Sequence, residues 1–550
     1  MTADARELAQ WLHLERLGDS KPDIEGVIRL AATVSGALPA PRIKGHLHLE
    51  QAALGIPNIF TKPMGAPASI EFSGEMSNDR VLSVHRLDVL LPPIRIAGQG
   101  RIRLSNDFDF EGKVISDSIA LEKLPKGISL GPVEAGRLDA MLAMKGHATD
   151  RTSWHTSGRI RFDNGGIVAE GLKDAIRNVS VHVQLDDHDI TITRLALKMG
   201  GSDLRASGSI AEWTGAPQAT LVVEASQFDL QLLQAAAGQS SQGGEGPAFL
   251  KRWLAGGRFG AMVFINDAYY QKFLFTDLSC RVTVNHGVLT VDRISADTND
   301  GHLGGRLVVR PPERRLGRVE SAFRISGIPI ERITGLFLPE RAIKGWLSAT
   351  GQLQAELGGA GPLAGSMTST RPVRLIVKDG RIFEVPVISN LLKVMNLPAL
   401  LQGQVDLTKE GMLFDELRGV FSVANGTITF KELFLDSPIL KISGSGRYDF
   451  MADQLDMVLA TSPLGSYSNL LKKIPLFGKL FAGEREGFDT AVFEVKGSAK
   501  DPSLQYLPAE SFMRGVKGTA RLAFDVLVNA ITLPKKLYTQ AEEFLAGEDE

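Results

Sequence analysis

The chain of 550 residues has a single cysteine, Cys280. One thiol excludes an intramolecular disulfide framework and any cysteine-based metal cluster. No apolar run reaches the length of about 18 residues that a transmembrane helix needs. The opening MTADARELAQWLHLERLGDS lacks the basic and apolar regions of a secretory signal. The formal charge is only −2, so no global field draws the chain to nucleic acid or to anionic membranes. Sequence signatures of catalysis are missing as well: there is no G-x-x-x-x-G-K-[ST], no H-E-x-x-H and no G-x-S-x-G. Any catalytic site would have to be assembled from residues scattered along the chain.

What is present is a globular composition, 43% hydrophobic and 23% charged, with 57 glycines. That length fills several domains or one repetitive body. One eight-residue pattern recurs: apolar, x, apolar, polar, polar, apolar, x, apolar. It reads Leu82, Val84, His85-Arg86, Leu87, Val89 in the first copy and Ile190, Ile192, Thr193-Arg194, Leu195, Leu197 in the second. The third is Leu289, Val291, Asp292-Arg293, Ile294, Ala296, and the fourth is Ile428, Phe430, Lys431-Glu432, Leu433, Leu435. Polar pairs of this kind make poor two-residue hairpin turns, which want Asn-Gly or Gly-X. A β-bulge accounts for them better, because one extra residue returns the apolar side chains to the same face and adds twist. Repeated bulges would curl a long antiparallel sheet into a trough.

A second period-2 run with central glycine follows each copy: IRIAGQGRIRL (94–104), LRASGSI (204–210), LGGRLVV (303–309) and LKISGSGRYDF (440–450). These read as half-buried strands, and mid-strand glycines mark bulges or close backbone approach. DNGG (163–166) and LPPI (91–94) read as turns between repeats, and AAAGQSSQGGEGP (235–247) as a flexible linker. Helical spacing appears late, at Ile388, Leu391, Leu392 and Met395 until Pro398. It returns in SNLLKKIPLFGKLF (468–481) and in GTARLAFDVLVNAI (518–531).

Two polar groupings invite a chemical reading. His46 and His48 share a strand face at a spacing that can hold a metal, yet no third ligand is near in sequence, and exposed strand histidines are commoner. DDHD (186–189) gathers three carboxylates and an imidazole, but such residues are ordinary in turns. No metal, cofactor or catalytic residue is assigned, and the expectation is a protein that is not an enzyme. The apolar face itself carries two readings. Either it packs against another layer, to which periodicity alone leans, or it stays open to apolar ligands. An acyl chain of about sixteen carbons would favour such a face over water by about 10 kcal/mol, at about 0.8 kcal/mol per methylene.

The C-terminal third resembles the AsmA-like family, its YhdP branch in particular. The resemblance rests on an ordered set: ISNLLKVMNLPALL, the acidic-Gly-x-x-Phe-Asp step at Glu410–Asp415, and the G-x-F-x-x-x-N-G run from Gly419 to Gly426. The Ser437–Pro438 turn, the glycine strand, Pro463 and FEVKGSAKDPSLQYLP (493–508) complete it. It covers roughly residues 375–510; residues 252–309 are similar to the family's generic repeat, and the part before 230 agrees only in repeat style. The resemblance implies a mainly β fold, an elongated, twisted antiparallel β-groove with a few short amphipathic helices towards the C-terminus. It implies phospholipid transfer between the inner and outer membranes of a diderm bacterium, in the periplasm, with inner-membrane association. The family's N-terminal membrane helix has no counterpart here, so the anchor is expected ahead of Met1.

The expected organisation is groove repeats over 1–230, a further β repeat over 231–370, a module with short helices over 371–510, and a C-terminal amphipathic helix and tail over 511–550. The groove is expected to be lined by Ile94, Ile96, Ile192, Leu204, Val291, Leu303, Leu307, Phe430, Ile442, Tyr448 and Phe450. Leu470, Leu471, Ile474, Phe477 and Phe481, beside three lysines, are expected to touch a membrane surface or an envelope protein partner, or else to cap the sheet. The alternative function is an envelope scaffold that assists outer-membrane protein assembly.

Overall fold

In a computed structural model of the protein, alternation of apolar and polar residues becomes strand almost throughout. The structure describes residues 2–4, 23–36, 40–56, 60–92, 94–104, 108–124, 127–128, 133–147, 150–167, 176–213, 216–232, 257–271, 273–298, 300–311, 317–334, 343–357, 363–383, 385–394, 411–463, 491–507 and 545. The fold is mainly β, in open and curved sheets, as the periodicity predicts. The chain forms two compact units, residues 1–287 and 288–550.

In the first unit, strands from Arg42–His48 and Ser69–Met76 onward pair antiparallel with their neighbours up to Gln218–Asp229. Gln218–Asp229 then lies parallel to Arg258–Tyr270, with Gln218 beside Arg258 and Asp229 beside Tyr269. A parallel pair cannot be closed by a hairpin and needs a long crossover connection, here the stretch 230–257. The expected linker 235–247 belongs to that stretch and lies outside the described residues. The second unit is an antiparallel succession from Val288–Asp297 to Asp501–Leu507.

All four expected bulges are present in the register. Val84 pairs with Gly100 and Leu87 with Gly98, so His85-Arg86 faces Gln99 alone. Thr193-Arg194 likewise faces Ser207, Asp292-Arg293 faces Arg306, and Lys431-Glu432 faces Ser445. The glycines of the following strand stand against these bulges, and at two of them the reason is steric. Gly208 has φ +150°, and a Cβ there would lie 2.1 Å from the Thr220 carbonyl oxygen. Gly446 has φ +145°, and its Cβ would lie 2.4 Å from the Asp456 oxygen. Only glycine lets the strands approach where the bulge bends them.

One expected turn proves to be strand. DNGG lies inside the long strand Asp150–Ile167. Asn164 takes φ +55°, and the register shifts between Phe162 and Gly165 and again between Gly165 and Ile167. A bulge absorbs the turn-forming residues without reversing the chain. LPPI does close a turn, between Val81–Leu91 and Ile94–Arg103. The helical spacing after residue 385 gives the helix Pro386–Val394, whose first position suits proline because no intrahelical N–H is needed there. The stretches 468–481 and 518–531 lie outside the described residues.

Candidate functional site

The bulges matter because they decide which face each apolar residue meets. In the first unit the cross-strand register sets Ile96, Ala140, Ile160, Val183, Ile192 and Leu221 in one row, with Ser116 between the first two and Gly208 between the last two. Without the extra residue at Thr193-Arg194, Leu195 and Leu197 would flip to the opposite face, since side chains alternate with period two. The apolar members of this row are half-buried. Their sequence neighbours Arg159, Arg161, Gln184 and Thr191 are exposed on the other face. Among the described elements of this unit, close backbone contacts run between paired strands, and the one-turn segment Leu121–Lys123 lies against Val133–His147.

Leu204 pairs with Leu197 and so belongs to the same face as Ile192. Ile94 also shares the face but sits where it is closed: it is 6% exposed, in a cluster with Ile119 and Leu121, and Ile96 at the end of the row packs against the same cluster.

In the second unit another row runs from Leu303 through Ile325, Ala349, Leu375 and Leu433 to Leu459 and Phe493. Val291 pairs with Leu307 on that face, and Phe430 and Tyr448 are there too. The Phe421 and Phe430 rings lie 5.7 Å apart, and the Tyr448 hydroxyl donates to Asp453 at 3.2 Å. Burial and the Asp453 carboxylate together raise the Tyr448 phenol above its ordinary pKa.

Here the face is largely filled by the protein itself. Ile442 is 3% exposed and packs in one cluster with Leu391 and Leu392 of the helix Pro386–Val394. Asn390 of that helix donates to the Pro502 carbonyl at 3.2 Å, tying it to the last described strand. Phe450 falls in the turn after Leu440–Asp449, where its amide donates to Gly426, and not on the strand. Leu470, Leu471, Ile474, Phe477 and Phe481 lie outside the described residues.

The polar groupings resolve into local structure. Asp187 and His188 form the two-residue turn between paired Asp186 and Asp189, with Asp187 at φ +52°. Asp187 accepts from His155 at 3.1 Å, and Asp189 accepts from the Glu212 amide at 3.3 Å. His46 and His48 stack with ring centres 4.1 Å apart. Among the described residues no group of three His, Cys, Asp or Glu is placed to hold a metal ion.

Sequence reasoning missed Asp88, which is 1% exposed between Arg86 and Arg95. Burial pushes its carboxyl up, but the hydrogen bonds from Arg86 and Arg95 outweigh burial and hold it below the usual carboxylate range. The signal was available: Arg86 is a bulge residue and Arg95 is on the polar face of the next strand.

No family model, curated protein or solved structure matches the chain. No described helix is long and apolar enough to cross a membrane.

Proposed function

We propose that this protein is a non-enzymatic carrier of phospholipid acyl chains, and that the first unit's apolar row is the carrying surface. One observation supports the reading above others: bulges keep a long row of half-buried, mostly apolar side chains on a single face, and the described buried clusters of this unit take in only Ile96 of its members. A core that served packing alone would be covered, since uncovered apolar area forgoes about 25 cal/mol per Å². A row of near-equal sites also lets a chain slide, because no single position binds much more tightly than the next. In this reading the headgroup stays in water, and the lipid passes between the inner and outer membranes of a diderm envelope. The resemblance to AsmA-like sequences supplies that setting.

A second reading, an envelope scaffold for outer-membrane protein assembly, draws on the second unit, whose apolar face is closed by its own helix and strands. Native mass spectrometry of the purified chain, followed by lipid extraction, separates the two. Several phospholipids per chain are expected; a lipid-free chain at full stability would favour the scaffold.

A further inference from the structure

The geometry points to a second, polar binding site in the first unit, for a small zwitterion that joins a phosphate to an ammonium group. It goes beyond the acyl-chain reading and is independent of it, because the polar side chains involved alternate with the apolar ones and face the other way. The site is a cleft of about 750 Å³ lined by Lys44, His46, Glu71, Ser73 and Arg86 among others. These side chains form two adjacent cross-strand rows. Lys44 pairs with Ser73 and Ser73 with Arg86, while His46 pairs with Glu71 and Glu71 with Asp88.

Within these rows Arg86 pairs with Asp88, while Lys44 and Glu71 make no ion pair among the described residues. Glu71 stands directly across from Asp88, and like charges in that position destabilise a sheet. Asp88 takes both Arg86 and Arg95, and Glu71 acts on Arg86 only through space. The Nε2 atom of His46 is buried and has no hydrogen-bond partner.

A phosphate would accept hydrogen bonds from Lys44, the Ser73 hydroxyl and the outer edge of the Arg86 guanidinium, while the ammonium pairs with Glu71. The rows are two residues apart along the strands, about 7 Å. A phosphate and an ammonium linked by two carbons can span that distance. Neither an anion nor a cation alone would use both rows.

The test is titration calorimetry on the full chain with phosphoethanolamine, inorganic phosphate and ethanolamine. Phosphoethanolamine is expected to bind about tenfold or more tighter than either fragment, the effect of one added charge-assisted contact. Glu71→Gln should weaken phosphoethanolamine about tenfold and leave inorganic phosphate unchanged, and Lys44→Gln should weaken both. Equal binding of phosphoethanolamine and phosphate, or no effect of Glu71→Gln in a variant that melts like the parent, overturns the proposal. Glycerophosphoethanolamine, the deacylated lipid headgroup, distinguishes the source: binding tighter than the monoester marks a lipid headgroup, and weaker binding marks a soluble metabolite. Retention of lipid by the chain with no binding in this titration would leave the acyl-chain reading standing and remove only the zwitterion site.

Discussion

Ile192→Asp and Ile442→Asp make the same chemical change on two apolar faces that differ in cover. Ile442 is 3% exposed in a packed cluster. Truncating such a side chain costs about 2–5 kcal/mol. An unpaired carboxylate in that site adds several more, so the total reaches about 5 kcal/mol or above. Domain stability is about 5–15 kcal/mol in all, and the second unit is therefore expected to unfold or to lose its cooperative transition. Ile192 is only half-buried and belongs to none of the described buried clusters, so a carboxylate there reaches water. The loss there is about half of a full burial term, about 1 kcal/mol. Bound lipid should respond the other way. A charge that displaces three or four methylenes removes about 3 kcal/mol of chain burial, roughly a hundredfold in occupancy. Hydrogen exchange resolved by segment reads stability, and the count of co-purified phospholipids reads occupancy. Equal unfolding of both variants would show that the Ile192 face is closed core and would refute the carrier reading.

Gly446→Ala forces a Cβ to 2.4 Å from the Asp456 oxygen at a φ of +145°, and a loss of about 3 kcal/mol or more is expected in urea unfolding. Asp88 has a folded pKa below its unfolded value, so its contribution is present above the unfolded pKa and fades as pH falls through the folded one. Asp88→Asn should therefore flatten the acid limb of stability against pH, and an unchanged limb would deny the Asp88–arginine pairing. Glu432 is the reverse case: burial raises its pKa, with Arg418 opposing, so its penalty grows as pH rises from the unfolded glutamate value through the folded one. Glu432→Gln should then raise the melting temperature at neutral pH and leave it nearly unchanged at acid pH.

The bulges were legible because they are local. Two polar residues between alternating runs, as at Thr193-Arg194, admit only a turn or an extra residue, and the residue types argue against the turn. The glycine strands followed from the same logic, since Gly208 and Gly446 answer the bulges beside them. Cover was not legible. Leu204 and Ile442 occupy the same place in their repeats, yet Leu204 is half-buried and Ile442 packs in a cluster with the helix Pro386–Val394, brought back by pairing far along the chain. DNGG misled because its residues serve a bulge as well as a turn. The polar cleft was half visible in His46, but Glu71 and Arg86 join it through pairings that sequence spacing does not encode.

The parallel pair Gln218–Asp229 and Arg258–Tyr270 has a consequence for how the molecule is made. Up to Asp229 each strand from Ser69–Met76 onward can zip onto the one before it as it leaves the ribosome, because every step is an antiparallel neighbour. At the parallel joint that progress halts until the stretch 230–257 has been synthesised and its ends brought together. Closing a loop of that length depends only weakly on how long it is, about 0.6 kcal/mol for each doubling. Lengthening or shortening it should thus alter the tempo of assembly far less than any change to a hairpin. The strands before the joint can therefore complete their antiparallel pairing before Arg258–Tyr270 has been synthesised.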